Sequence, residues 1–159
     1  MFFFRRKELL TDGVIDLIPV NDGVADPDMG FGEEYSWIIA PHGKRREMGR
    51  INLRLGESAC IYVYGHIGYH IDPPYRGHHY ARQACRLIVP VMVRAGKTSV
   101  VITCDPDNLP SRTTCEHLGC VLERTVTVPE WIRKRWSISR EKCRYIWRLN
   151  AENQEETDA

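Results

Sequence analysis

The chain has 159 residues, of which 43% are hydrophobic and 27% are charged, and its formal net charge is +1. A chain of this length and apolar content can bury the core of one domain. The balanced charge argues against a nucleic-acid-binding surface, which depends on an excess of cations. The longest uninterrupted apolar run, at residues 87–93, is far shorter than the roughly 20 residues of a membrane-spanning helix. We therefore expect one soluble domain at residues 1–149, with neither nucleic acids nor membranes as partners.

The two ends of the sequence differ in character from the rest. Residues 1–7 place three phenylalanines before three basic residues, the reverse of a secretory signal, so we expect a cytoplasmic protein. Residues 150–159 carry four acids and almost no apolar side chains, which predicts a disordered acidic tail.

The six cysteines stand singly within apolar stretches, and no C-x-x-C pair occurs. In a chain without an export signal, this pattern is typical of free buried thiols rather than of disulfides. A zinc site formed by Cys115, His117 and Cys120 is the alternative, which the missing C-x-x-C pair disfavours. We therefore expect no bound metal.

The first half of the chain is rich in strand patterns. Short apolar runs and alternation of apolar with polar residues predict strands at residues 14–20, 35–40, 48–55 and 60–71, with a polar loop at 21–34. In the last of these strands, alternation places His66 and His70 on one wet face together with Tyr62 and Tyr64.

The second half alternates helices with strands. Apolar residues at helical spacing predict a helix at 77–95, which Pro90 should bend, and a short helix at 111–118. Strands are predicted at 99–103, 120–128 and 143–149. The intervening segment 129–142 fits an amphipathic edge with its tryptophans inward, although it could also lie over an acceptor pocket or, as its aromatic and basic composition allows, bind nucleic acid. This order predicts an α/β fold: a mixed sheet with an antiparallel front half and a central parallel step, flanked by helices.

Residues 75–81 join the predicted strand 60–71 to the helix 77–95. A small-residue loop at the start of a helix presents free N–H groups and the positive end of the helix dipole to an anion. The loop lacks the third glycine of G-x-G-x-x-G and the lysine of a P-loop. By itself it is equally typical of an ordinary strand-to-helix turn.

With the stretch at residues 103–120, this loop resembles the GNAT N-acetyltransferase superfamily. Residues 76–81 are similar to its R/Q-x-x-G-x-G/A pyrophosphate loop, and residues 108–119 to its N-x-x-S…E-K-x-G-F segment. The resemblance implies a GNAT-like sheet whose central parallel strands, ending at Ile71 and Cys104, splay apart to admit acetyl-CoA as co-substrate.

The resemblance also implies which residues bind the coenzyme. The pantetheine arm would pair with the strand edge at Ile71, the diphosphate would lie on the N–H groups of the loop, and Asn108 and Ser111 would bind the distal pantetheine. The implied coenzyme-binding residues are Ile71, Arg76, Gly77, His78, His79, Tyr80, Ala81, Asn108 and Ser111.

Two positions depart from the family pattern. His79 occupies the fourth loop position, which is normally glycine, and Cys115 stands where many members carry a tyrosine that protonates the leaving thiolate. The Cys115 thiol can donate a proton to a thiolate of similar pKa, and a small core residue fits the position equally well. For removal of a proton from the amine, His66 and His70 are the candidates, with Glu47 and Glu123 as alternatives.

The sequence therefore implies an N-acetyltransferase in which an amine attacks the thioester directly. The alternative is a non-catalytic acyl-CoA-binding or regulatory domain, which the departures at His79 and Cys115 would explain. A small-molecule or peptide amine fits as acceptor. The oligomeric state stays open, including a homodimer formed through a sheet edge.

Overall fold

Eight strands and five helices follow one another in a computed structural model that describes residues 8–20 and 26–149. The strands are β1 (Leu10–Thr11), β2 (Ile15–Val20), β3 (Glu34–Pro41), β4 (Gly49–Arg54), β5 (Ile67–Ile71), β6 (Ser99–Cys104), β7 (Val121–Thr127) and β8 (Glu141–Arg148). The helices are α1 (Ala59–Tyr64), α2 (Tyr80–Leu87), α3 (Val89–Arg94), α4 (Leu109–His117) and α5 (Glu130–Trp136), with 3-10 turns at Pro27–Met29 and Pro73–Tyr75. The predicted acidic tail, residues 1–7 and part of the predicted loop 21–34 lie outside the described residues.

The strands form one sheet in the order β1-β2-β3-β4-β5-β6-β8-β7. Every neighbouring pair is antiparallel except β5 and β6, which run parallel in the centre. The predicted fold class is therefore confirmed, including the antiparallel front half and the central parallel step.

The parallel pair in the centre diverges almost as soon as it forms. Strands β5 and β6 share the single register pair Ile67↔Ile102. By contrast, β4 pairs with β5 from Gly49↔Ile71 to Leu53↔Ile67. Strand β6 likewise pairs along its length with β8. The predicted splay is confirmed, and a wedge opens between the ends of β5 and β6.

The predicted strand at residues 60–71 is wrong in its first half, which forms α1. Ser58 caps this helix, its Oγ accepting a hydrogen bond from Ile61 N at 3.1 Å. Gly65 ends it at φ 77°, where an added Cβ would lie 2.8 Å from the carbonyl oxygen of Val101. Ile61 and Val63 are both buried, so two residues of a short helix imitate the alternation of a strand.

His66 lies at the apex of the wedge, and its predicted place on a wet strand face is wrong. The residue is 5% exposed. Its backbone N–H donates to Val101 O at 2.8 Å, and its Nδ1 accepts from Val101 N at 2.9 Å. The other ring nitrogen, Nε2, lies 2.6 Å from the Glu57 carboxylate. The imidazole thus takes the place of a strand carbonyl where the two parallel strands meet.

The predicted helix at 77–95 is two helices. Helix α2 begins at Tyr80 rather than at residue 77, and Ile88 separates it from α3. Pro90 lies in the first turn of α3, where backbone N–H groups have no partner within the helix. The missing N–H of proline therefore costs no helical hydrogen bond. The proline therefore starts a new helix instead of bending one.

Two apolar cores cover the two faces of the sheet. The larger core packs α2, α3 and α4 against the central strands, and the smaller one lies beneath α1 and α5. In α5, Ile132 is buried and Trp136 packs on the smaller core, but Trp131 is 55% exposed, so the inward placement predicted for it is wrong. Within the described ranges, no helix has the length and apolar character needed to cross a membrane.

The substitution His66→Ala should lower the free energy of unfolding by about 1–3 kcal/mol, because Val101 N–H loses its acceptor. Burial lowers the pKa of His66, and the Glu57 carboxylate opposes this shift without reversing it. In the unfolded chain His66 therefore takes up a proton near pH 6.5, whereas in the folded chain it does so only at lower pH. The free energy of unfolding should thus fall as the pH drops below about 6.5. Urea unfolding at a series of pH values measures both effects.

The matched control is His70→Ala, since the His70 side chain is 60% exposed. This variant should unfold like the parent protein. Equal stability of His66→Ala and the parent would contradict the role assigned to the buried imidazole.

Candidate active site

The wedge between β5 and β6 opens into a cleft of about 660 Å³. The end of β5, the loop before α2 and the start of α4 form its walls. The cleft brings together all nine residues that the sequence implied for coenzyme binding, and His70 joins them. Their role in binding stays a prediction, but they line one cleft, as the binding of a single coenzyme molecule requires.

One wall of this cleft consists of backbone N–H groups without partners. Within the described residues, no backbone carbonyl accepts a hydrogen bond from the N–H groups of residues 77–82. His79, the residue before α2, makes no side-chain cap hydrogen bond either. Consecutive free N–H groups at the positive end of a helix form an anion-binding surface.

His79 adopts a conformation that normally belongs to glycine. Its backbone angles are φ 64° and ψ 23°, in the left-handed region. A residue with a Cβ costs about 1–2 kcal/mol there. The loop therefore has the backbone conformation expected with glycine at this position, and the backbone of His79 is strained as a result.

Cations and histidines border the same wall. Arg76 Nε donates to Ile71 O at 2.8 Å, across the mouth of the cleft. Arg82 Nη1 lies 3.1 Å from His117 Nδ1, and both residues line the cleft. Arg82 is not among the candidates from the sequence, because its distance from α4 depends on tertiary packing.

Two hydroxyl groups meet at the inner end of the cleft. Asn108 caps α4, its Oδ1 accepting from Ser111 N at 3.2 Å. The Ser111 and Tyr69 hydroxyl oxygens are 2.8 Å apart and hydrogen bonded. Burial raises the pKa of Tyr69, which therefore stays protonated. Tyr69 is not among the candidates from the sequence, because alternation along residues 60–71 places it on the face opposite His66 and His70.

A second cavity, of about 220 Å³, adjoins the cleft at Tyr69, Asn108 and Ser111, which line both spaces. The rest of its lining comes from the ends of β4, α1, β6 and β8, together with β5. These further lining residues are Arg54, Tyr64, Ile67, Gly68, Thr103, Cys104, Asp105 and Lys142.

The two histidine candidates for catalysis, His66 and His70, differ in whether they line the cleft. His70 lines the cleft, and its Nε2 lies 3.5 Å from Asp72 Oδ1. His66 lines neither space, and both of its ring nitrogens are engaged by Val101 and Glu57.

The other candidates lie apart from both spaces. Cys115 is fully buried in the larger core; its hydrogen bond with Cys120 and its burial raise its pKa. Glu47 pairs with Arg50 Nε at 2.5 Å, and Glu123 accepts from Arg144 Nε at 2.9 Å. The described part of the chain contains no group of three or more histidine, cysteine or acidic residues that could hold a metal ion.

The family model described as "Acetyltransferase (GNAT) domain" matches residues 24–121. A search of curated proteins gave no match. Among solved structures, the ribosomal L7/L12 α-N-protein acetyltransferase RimL, in complex with coenzyme A, has a TM-score of 0.65 at 15% identity, covering 91% of this chain and 99% of that chain.

Two further solved structures share the fold. The acetyltransferase (GNAT family) from Bacillus anthracis has a TM-score of 0.56 at 18% identity, covering 72% of this chain and 66% of that chain. The microcin C7 self-immunity acetyltransferase MccE, in complex with acetyl-CoA and AMP, has a TM-score of 0.55 at 20% identity. The match with MccE covers 72% of this chain and 61% of the MccE chain. At these identities the likeness is one of fold.

The substitution His79→Gly should raise the free energy of unfolding by about 0.5–1 kcal/mol. Relief of the left-handed strain, about 1–2 kcal/mol, exceeds the entropy that glycine adds to the unfolded chain. Urea denaturation measures the change.

The matched control is Ser137→Gly, because Ser137, at the end of α5, also has a positive φ of 51° and lies outside the cleft. It should stabilise the chain similarly. If His79→Gly alone destabilises the fold, the imidazole makes contacts that outweigh the strain.

Proposed function

Because this chain belongs to the GNAT acetyltransferase family, we propose that it transfers an acetyl group from acetyl-CoA to a primary amine. The observation that carries the proposal is the wedge between two central parallel strands, with a row of free N–H groups at its mouth. Such a surface suits a nucleotide-tailed thiol, whose diphosphate needs N–H donors and whose extended arm needs a slot. The CoA-bound RimL and acetyl-CoA-bound MccE structures support the same choice of coenzyme.

The residues of the cleft fit acetyl-CoA in charge and shape. The N–H groups of residues 77–82 would hold the diphosphate, with Arg76 and Arg82 adding positive charge beside it. A cleft of about 660 Å³ falls within the usual range for ligand sites. When bound, acetyl-CoA supplies an activated thioester carbonyl for attack by an amine.

The inner end of the cleft supports direct transfer without an enzyme-bound acyl group. Cys104 is the thiol that lines the second cavity, and burial raises its pKa to about 11. At neutral pH it is therefore a thiol rather than a nucleophilic thiolate. The protonated Tyr69 hydroxyl, positioned by Ser111, is placed to donate a hydrogen bond at the junction of the two spaces.

For proton removal from the amine, His70 is the better of the two histidine candidates. Its ring is largely exposed in the cleft, where it can accept a proton directly or through a water. His66 would have to give up its bond from Val101 N–H to act as a base.

A cytoplasmic location belongs to the same proposal. All six cysteines are free, and four of the five buried ones belong to the larger core. Free thiols are typical of a reducing compartment, where disulfides seldom persist.

A non-catalytic acyl-CoA-binding domain is the second candidate. It is favoured by Cys115, which stands where many family members carry a proton-donating tyrosine but is fully buried and lines neither space. Both candidate functions require binding of acetyl-CoA, but only the acetyltransferase transfers its acetyl group to an amine.

Acetyl-CoA at 100 times its dissociation constant should stabilise the protein by about 2.7 kcal/mol, or roughly 5–10 °C in melting temperature. The substitution Ala81→Pro should weaken this binding about tenfold to hundredfold, because it deletes one N–H donor to an anion. Proline already occupies the first turn of α3 and α4, so α2 should survive the change. Isothermal calorimetry measures the affinity.

Ala81→Ser keeps the N–H group and serves as the control, with affinity close to that of the parent. No stabilisation of the parent protein by millimolar acetyl-CoA would count against both candidate functions.

The substitution His70→Gln should lower kcat about 10²-fold or more and leave KM for acetyl-CoA unchanged, because general-base catalysis supplies rate rather than coenzyme affinity. Release of free CoA thiol with a panel of primary amines measures the turnover. Glu47→Gln is the control, since Glu47 pairs with Arg50 outside both spaces.

Stabilisation by acetyl-CoA without thiol release from any amine would favour the non-catalytic domain. Unchanged kcat in His70→Gln would show that another group or water removes the proton.

A further inference from the structure

We propose that the acceptor is a small primary amine carrying a carboxylate or phosphate group, and that Arg54 in the second cavity binds this anion. The inference rests on the acetyl transfer proposed above, and it names the substrate class. The cavity of about 220 Å³ has room for about seven water molecules at about 30 Å³ each, which suits a small acceptor. Its junction with the cleft at Tyr69 and Ser111 would bring an amine held there to the thioester end.

The side chain of Arg54 reaches the cavity because it lies over Gly68, the glycine of β5 that pairs with Asn52. A Cβ added at Gly68 would lie 2.9 Å from Arg54 Nη2 and 2.5 Å from Asn52 Oδ1. Any larger residue would therefore displace the guanidinium from the surface of β5. Gly68 and Arg54 both line the cavity.

Arg54 is a half-buried cation that forms no ion pair within the described residues. Its Nη1 donates to the carbonyl oxygens of Tyr64 and Gly65, at 3.3 and 3.1 Å. Its Nε is buried and makes no hydrogen bond within the described ranges. Glu34 attracts it electrostatically, yet no carboxylate in the described part of the chain forms an ion pair with it.

The surroundings of Arg54 make its charge costly without a ligand. Burial lowers the pKa of Arg54, although its guanidinium carbon makes favourable cation–π contacts with the rings of Phe31, at 4.5 Å, and Tyr64, at 5.8 Å. A buried charge is destabilising unless an opposite charge or hydrogen bonds compensate it. The flat guanidinium matches the two oxygens of a carboxylate or phosphate.

The other charged groups of the cavity neutralise one another. Lys142 Nζ lies 2.6 Å from Asp105 Oδ1, and Ser139 Oγ donates to the same oxygen at 2.5 Å. Of the three charged residues that line the cavity, Arg54 is therefore the one that forms no ion pair with another described residue.

Arg54 also has a structural role, because the carbonyls that it binds belong to the end of α1. Cations at a helix C-terminus stabilise the helix. This role engages Nη1 alone, and it predicts a loss of stability with no dependence on the charge of the acceptor. The two roles therefore give different results in a kinetic experiment.

The experiment compares matched amines with the full chain and saturating acetyl-CoA: β-alanine with β-alaninamide, and O-phosphoethanolamine with ethanolamine. The parent protein should show kcat/KM at least about tenfold higher for one charged member than for its neutral partner, since a charge-assisted hydrogen bond is lost with the neutral one. Preference within the first pair identifies a carboxylate, and preference within the second identifies a phosphate.

Arg54→Gln should lower kcat/KM about tenfold to hundredfold for the preferred charged amine and leave the neutral partner unchanged. Arg54→Lys keeps the cation and should keep part of the preference, so a folded variant remains for testing if the glutamine variant does not fold. Arg124→Gln is the matched control, because Arg124 is exposed and lies outside the lining of both spaces.

Equal kcat/KM for charged and neutral amines, or equal losses for both in the Arg54 variants, would overturn the anion site while acetyl transfer stands. If no amine is acetylated, calorimetry of β-alanine and O-phosphoethanolamine with CoA-saturated protein decides. Binding that Arg54→Gln abolishes supports the anion site even though transfer fails, and absence of binding overturns the site.

Discussion

The structure depends on one constraint: the two central parallel strands pair at a single position and then separate. Each strand is held along its outer edge, β5 by β4 and β6 by β8, so the separation leaves their inner edges facing one another across a gap. Backbone groups at such edges need partners. A bound molecule with amides of its own can supply them, as an added strand does.

The apex of the gap is held by a side chain rather than by further strand pairing. His66 binds both backbone groups of Val101, one through its own N–H and one through Nδ1. Burial favours the neutral form of its ring, and the contact of Nε2 with Glu57 keeps the proton on that nitrogen, so that Nδ1 can accept from Val101. A residue that the sequence offers as a catalytic base is instead part of the framework that opens the site.

The gap divides the site into two spaces of different chemistry. The larger cleft presents free N–H groups and the cations Arg76 and Arg82, which suit phosphates, and the smaller cavity presents the half-buried Arg54. The hydroxyl pair of Tyr69 and Ser111 stands between them. A coenzyme from one side and an amine from the other would meet there.

The loop at residues 76–81 could be predicted from the sequence because its chemistry is local: N–H groups at the start of a helix are free wherever that helix lies. The family match confirms the resemblance based on this loop. The placement of His66 and Tyr69 could not be predicted by alternation. Helix α1 occupies the first half of the supposed strand, so the faces of β5 cannot be counted from residues before it. Ser58 and Gly65 were the local indications of that helix.

The role of Arg54 depends on long-range packing, and so does the burial of Cys115. Arg54 comes near the cavity only through the register of β4 with β5 and through the missing side chain at Gly68. Cys115 falls on the core side of α4, which a short helix of low amphipathicity does not reveal.

Hydrogen–deuterium exchange with and without acetyl-CoA tests the central claim most directly. The N–H groups of residues 77–82 have no backbone carbonyl partner within the described residues, so they should exchange fast in the free protein and slow markedly when the coenzyme fills the wedge. Strand β7, at the far edge of the sheet, should be unaffected. Unchanged exchange at residues 77–82 in a protein saturated with acetyl-CoA would contradict the account.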